Sequence, residues 1–252
     1  MKSLTTPVTL LLIASVAQQP CLAFQLRLPN QPRFTVDAGN SPRHHGSELA
    51  VVKAKRSLTG DFELQELKVQ IDSMKRQGVA SRSLPPTKRF ELESYARTII
   101  ENKESPVPLE KVGQNLPNTK WQLVFSTENS ALSDLPRDAN VVLSFWDATN
   151  VDYNLKFGES TVGLNSITAK STWTAGEGNN REGSYPGLVT IVYDKITCDA
   201  FGLSNIGIGF FGLLKGRASY IQTVYFDNEL WIEGGYTPDG SSYFSVYTRE
   251  DN

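Results

Sequence analysis

The sequence predicts a mainly β protein, an antiparallel sandwich or up-and-down barrel preceded by a pair of α-helices. Three observations predict it. From Trp121 onward, apolar and polar residues alternate with a period of two in short runs. Gly, Asn, Asp or Pro bounds each run, as chains of tight hairpins require. Between about residues 61 and 104 the apolar spacing is instead that of helices.

The first helix falls in "DFELQELKVQIDSMKRQG" (61–78), where Leu64, Leu67, Ile71 and Met74 make one stripe and Gly78 offers a stop. The second falls in "TKRFELESYARTIIENKESP", with Thr87 as N-cap, Pro106 as stop, and Leu92, Tyr95, Ala96 and Ile99 as the buried face. A single apolar face on each implies a helical hairpin packed on a larger body. The β region, about 118–252, holds "KWQLVFST", "NVVLSFWD", "VDYNLKF", "NSITAKSTW", "GLVTIVYD", "ASYIQTVYFD", "ELWIEGG" and "SYFSVYTR". "PDG" (238–240) reads as the tight turn into the last strand.

The start of the chain reads as an address. Lys2 precedes the apolar run "VTLLLIASVA" (8–17), too short to span a bilayer, and "CLA" (21–23) has small residues where a leader is cleaved. Residues 1–23 therefore read as a signal peptide. Residues 24–58 are basic, Pro-containing and without period, which is the composition of a transit segment. A signal peptide followed by such a stretch, with Phe24 after "LA", resembles the bipartite presequence of algae with complex plastids. Simple secretion with an unstructured N-terminal segment is the alternative. The folded domain is expected over 59–252.

Charge and residue types exclude several functions. Residues 117–252 carry 9 Lys and Arg against 16 Asp and Glu, so no phosphate-binding or nucleic-acid surface is expected. Both histidines, His44 and His45, lie in the address. The remaining chain cannot build a Ser-His-Asp triad or a His-ligated metal or haem site. No metal or other cofactor is expected. Beyond the address only Cys198 remains, so an internal disulfide is impossible. The carboxylate pairs Asp147 with Asp152, Asp194 with Asp199, and Asp227 with Glu229 could in principle do acid/base work, but with no accompanying motif they read as solvated loop and strand-edge charges.

"GIGFFG" (207–212) has G-x-G-x-x-G spacing, with Glu233 near the position of a ribose-binding acid. A dinucleotide loop must open a helix, and only "LLKGR" separates Gly212 from the next strand. Phe210 and Phe211 would place bulky rings where a pyrophosphate approaches. The apolar segment with Phe210, Phe211, Leu213, Leu214 and Lys215 suits instead a lipid surface, a portal, or a plug in one end of a barrel. Eight strands closed into a barrel can hold one small ligand. Trp121, Phe125, Tyr153, Trp173, Tyr193, Tyr225 and Trp231 are its candidate lining, with core filling as the competing role for these rings.

"NTKWQLVFSTENS" (118–130) and "SYIQTVYFDNELWIEGGYTPDGSSYFSVYTR" (219–249) resemble the opening and closing strands of the plastid-lipid-associated protein, or fibrillin, family. The helical lead-in matches it in placement, so the resemblance covers about residues 60–252. Asp227 and Arg249 are retained. "WIEGG" (231–235) stands where the family has Arg-Ile-Ser-Arg-Gly, with Trp231 and Gly234 at the two arginine positions. The resemblance implies a lipocalin-like barrel in plastids, non-catalytic and without a transmembrane span. It would bind quinones, carotenoids or acyl lipids at a thylakoid or plastoglobule surface, or partner a prenyl-lipid synthesis enzyme. A cofactor-free cyclase or isomerase acting through Asp227, Glu233 or Tyr193 is the alternative activity.

Overall fold

The computed structural model describes residues 60–74, 84–127, 139–159, 161–177, 184–208, 215–236 and 242–250. The segments read as signal and transit peptides lie outside them, as do Gly78 and the "PDG" turn. Helix α1 covers residues 60–74. Helix α2 is Pro86–Asn102, followed by a 3-10 turn at Leu109–Lys111 and the short helix α3, Val112–Asn115. The expected N-cap at Thr87 is corrected: Pro85 caps α2 and Pro86 opens it. Proline suits the first helical turn because its fixed φ is already helical and no intrahelical N–H is lost there.

Nine strands follow: β1 (Thr119–Ser126), β2 (Asn140–Phe145), β3 (Asn150–Lys156), β4 (Leu164–Glu177), β5 (Ser184–Ala200), β6 (Leu203–Gly207), β7 (Ala218–Phe226), β8 (Leu230–Tyr236) and β9 (Ser242–Glu250). Eight match the periodic runs. β6 is an addition, formed in a stretch outside those runs. All nine belong to one sheet with order β4-β3-β2-β1-β9-β8-β7-β5-β6, and β4 also pairs with β5. Every pairing is antiparallel. The line of neighbours returns on itself, so all strands but β6 form a ring. β5 gives Leu188–Val192 to β7 and Thr197–Ala200 to β6, which continues the β7 edge past the point where β7 begins.

The two faces of the ring are defined by what packs on them. One buried cluster takes Trp121, Phe145, Val151, Trp173, Ile191, Phe226, Trp231 and Tyr247, among others, and draws on all eight ring strands. Only the ring interior is reachable from every strand. A second cluster joins Leu67, Ile71 and Met74 of α1 and Leu92, Ala96 and Ile99 of α2 to Phe125, Tyr225, Ile232, Phe244 and Val246. The helices thus cover the outside of β1, β9, β8 and β7. A smaller cluster, Ala139, Val141, Leu155 and Ile167, continues the interior beyond the aromatic layer.

Candidate functional site

The ring has two different ends. At the end where β1 and β8 start, the segment from Val107 to Leu116 closes the interior. Val112 and Leu116 are fully packed into the interior cluster, with Val107 and Leu109 against it. Ser105 anchors this segment. Its hydroxyl accepts from the Phe226 N–H at 3.0 Å and lies within hydrogen-bond distance of the Val107 and Phe226 carbonyls. The Val107 N–H donates to the Phe226 carbonyl at 3.3 Å.

Beside this lid the interior is filled with rings. Trp121 packs on Phe226 and Trp231 at 5.1 and 5.6 Å between centroids, Phe145 on Trp173 at 5.0 Å, and Trp231 on Tyr247 at 5.2 Å. Each indole N–H has its acceptor: Thr119 Oγ1 for Trp121, Thr223 Oγ1 for Trp231, and the Asp147 carbonyl for Trp173. Trp121 and Trp231 are wholly buried. The candidate lining residues Trp121, Trp173, Trp231 and Tyr193 are therefore brought together, and in this half they occupy the space.

Phe125 and Tyr225 require correction. Neither lines the interior; both pack outside, under the helices. The reason is a β-bulge in each strand, between Leu123 and Phe125 in β1 and between Thr223 and Tyr225 in β7. One extra residue reverses the alternation beyond it. Trp121 and Phe125 share parity along β1 and still face opposite ways. Phe125 meets Phe244 at 6.1 Å and lies 6.0 Å from the Arg89 guanidinium. The Tyr225 hydroxyl donates to Asp227 at 3.2 Å. Burial first, then the charge of Asp227, pushes that phenol well above its ordinary pKa.

The other half of the interior lies toward the end without this lid. Leu123, Tyr153 and Ile196 pack against both interior clusters yet stay half-buried. Here β8 carries Glu233, two residues past Trp231 and on the same inward face. Glu233 is only 7% exposed. The Tyr247 hydroxyl donates to one carboxylate oxygen at 2.8 Å and the Tyr243 hydroxyl to the other at 3.2 Å. Burial, then the charge of Glu233, pushes the Tyr247 phenol well above its ordinary value, so it stays protonated and donates. Ser126 and Ser245, both buried, share a hydrogen bond at 3.1 Å on the adjoining strands.

Tyr243 reaches Glu233 because its cross-strand partner is Gly235. A Cβ at that position would sit 2.7 Å from the tyrosine ring and hydroxyl. The missing side chain leaves the ring room to lie across β8.

Beyond this half, the β5–β6 hairpin and the β3–β4 connection expose apolar residues. Val162 is 92% exposed, Phe201 83% and Leu203 64%. Phe201 and Gly202 form the two-residue turn, and both have positive φ, 54° and 78°. Lys215 is exposed and lies 3.5 Å from Asp194. Phe210, Phe211, Leu213 and Leu214 lie outside the described residues.

Asp147, Asp227 and Asp199 serve turns and ties. Asp147 accepts from the Thr149 and Asn150 N–H groups at 2.7 Å each and from both their side chains, which holds its carboxyl far below the usual range. Asp227 accepts from the Glu229 and Leu230 N–H groups in the β7–β8 turn and pairs with Lys68 of α1 at 2.8 Å. Asp199 accepts from the Asn205 N–H and the Ser166 hydroxyl and so ties β6 to β4. Among the described residues, no group of three or more His, Cys, Asp or Glu could hold a metal ion, and no helix is long and apolar enough to cross a membrane.

Sequence reasoning placed Glu233 in a strand and considered it as an acid or base. It did not find Tyr243 and Tyr247. The signal was there in "SYFSVYTR", whose alternation puts both tyrosines on one face. No protein-family model, curated protein or solved structure matches this chain.

Proposed function

We propose that this protein is a non-catalytic binder or carrier of a small hydrophobic molecule, built as a lipocalin-like barrel. The observation that carries the reading is the asymmetry of the ring interior. One half is closed and packed with rings; the other has half-buried apolar side chains and a buried, hydrogen-bonded carboxylate. An apolar enclosure with a few fixed polar groups is the general form of a small-molecule site. The fibrillin resemblance supports a quinone, carotenoid or acyl lipid as ligand and a thylakoid or plastoglobule surface in a plastid as the setting. The exposed Val162, Phe201 and Leu203 suit contact with such a surface.

The test is extraction of protein purified from its native source, followed by mass spectrometry, with quinone and carotenoid titrations of the recombinant chain. A co-purifying hydrophobic molecule supports the proposal. Protein that is empty in every preparation and binds neither class removes it.

The second reading, a cofactor-free cyclase or isomerase, is favoured by one observation: Glu233 lies in the interior, where a carboxylate can face a bound apolar substrate. Asp227 has a structural task in the β7–β8 turn. Chemical conversion of a bound isoprenoid by the wild type but not by Glu233→Gln would establish this reading. Recovery of the isoprenoid unchanged would dismiss it.

A further inference from the structure

We propose that the β5–β6 turn and the β3–β4 connection form a rigid apolar foot that seats the lidless end of the ring on a neutral lipid surface. The foot holds by apolar insertion and not by charge. It works whether or not the interior holds a ligand, and so goes beyond the carrier reading.

Phe201 is poorly suited to its turn. Both turn residues have positive φ, where Asn-Gly is the usual pair and a bulky residue is strained. The ring gains no burial in return, since it stands almost wholly in solvent. Strain held at an exposed aromatic points to a task for that side chain. Three ties keep it posed. The Phe201 N–H donates to the Gly163 carbonyl at 2.7 Å. The ring lies across Gly163, where a Cβ would collide with it. Asp199 holds the returning strand, accepting from the Asn205 N–H at 2.7 Å and the Ser166 hydroxyl at 2.9 Å. Val162 directly precedes Gly163, and Leu203 pairs with Ala200 just behind the turn. The three exposed apolar side chains therefore share one tip.

A lipid phase fits this tip better than a folded partner. Val162, Phe201 and Leu203 project from two strand connections, so the tip is convex. Three side chains are far fewer than the roughly 20–30 residues a side of a stable protein interface. A fluid acyl layer needs no matching shape. Transfer of these side chains from water is comparable to that of one acyl chain, a reversible hold of about 10⁴ M⁻¹. None of the three carries charge, and the Asp199 carboxylate is turned onto the hairpin's own donors. The exposed Lys156 and Glu159 beside the tip are one of each sign, so neither sign of headgroup is selected. Both connections lie opposite the Val107–Leu116 lid. Contact there keeps the lid, and Trp146 in the β2–β3 turn, away from the lipid. Under the carrier reading, the same orientation turns the half of the interior that holds Glu233 toward the phase from which a ligand comes.

Vesicles of phosphatidylcholine alone, with no ligand added, test the proposal. Wild type should float with them, and raising salt from about 0.1 to about 0.5 M should change binding by less than about twofold. Phe201→Asn and Leu203→Ser should each weaken binding by roughly tenfold, with thermal melting to confirm that each is folded. Phe201→Trp should add emission that brominated lipid quenches, whereas the wild-type emission, Trp146 included, should be unaffected. Wild type that ignores neutral vesicles, binding that salt removes, or variants that bind as well as wild type overturn the proposal. Quenching of the wild type with none added by Phe201→Trp also overturns it, since the other end would then face the lipid. A dimer that Phe201→Asn breaks, with no vesicle binding, assigns the tip to a second copy instead. Phe201→Trp keeps an aromatic ring and decides the location if another variant does not fold. None of these outcomes touches the carrier reading, which extraction and ligand titration decide.

Discussion

Phe125→Ala tests the claim that β1 changes face at its bulge. Phe125 is 1% exposed, and its ring contacts Phe244 and the Arg89 guanidinium beneath the two helices. Deleting a buried phenylalanine side chain costs about 3–5 kcal/mol. Loss of the cation–π contact at a partly wet site is worth about 0.5–1 kcal/mol within that total. A domain of this kind is stable by roughly 5–15 kcal/mol, so the loss is a large fraction. Urea unfolding followed by tryptophan fluorescence should show the midpoint fall by about 1–2 M. Affinity for a hydrophobic ligand, measured well below the new midpoint, should stay within about twofold, because the side chain never faces the interior. A stability change under about 1 kcal/mol, or ligand affinity lost while stability is kept, would refute the placement of Phe125 under the helices.

Three further outcomes follow from the same geometry. Burial disfavours the Lys68 ammonium, but its bonds to Asp227 and Glu229 outweigh this and raise its pKa above 10.5; its contribution is therefore complete at neutral pH and lost as pH rises through that raised value. Lys68→Met should lower stability at neutral pH and flatten the alkaline limb of the stability–pH curve, and an unchanged limb would count against the tie. Gly235→Ala should displace the Tyr243 ring and destabilise the protein by about 1–3 kcal/mol, whereas a neutral result in thermal melting would show that the ring does not lie on β8. Phe201→Asn should stabilise the hairpin by up to about 1 kcal/mol, since Asn accepts positive φ more readily than Phe. It should also weaken flotation with lipid vesicles, and unchanged flotation would detach Phe201 from any lipid contact.

Much of the fold was legible because it is written in short-range alternation. β1 begins one residue earlier than "KWQLVFST", and β2, β3, β7 and β9 lie within a residue or two of their runs. β6 was missed because its residues are all exposed, so no burial pattern marks them. It is held by β5 backbone bonds and by Asp199, contacts made in space. The half of the interior that holds Glu233 was only partly legible. Glu233 stood out as an acid in an aromatic strand, but its partners come from β9, and the register of that pairing is set by the whole ladder.

By itself the sequence determined the two-helix lead-in, the run of antiparallel strands, and the absence of histidine chemistry from the domain. Those properties depend on residue type and on spacing within a few positions. Tertiary structure decided the closure of β4 onto β5, the reversal of Phe125 and Tyr225, and the meeting of Glu233 with Tyr243 and Tyr247. Each depends on pairing between strands distant in sequence, and for Phe125 and Tyr225 the physical reason is the bulge. One unpaired residue exchanges the faces of everything after it, and whether a residue is unpaired depends on hydrogen bonds to a partner strand. For Phe125 that partner is Val246, at the far end of the chain.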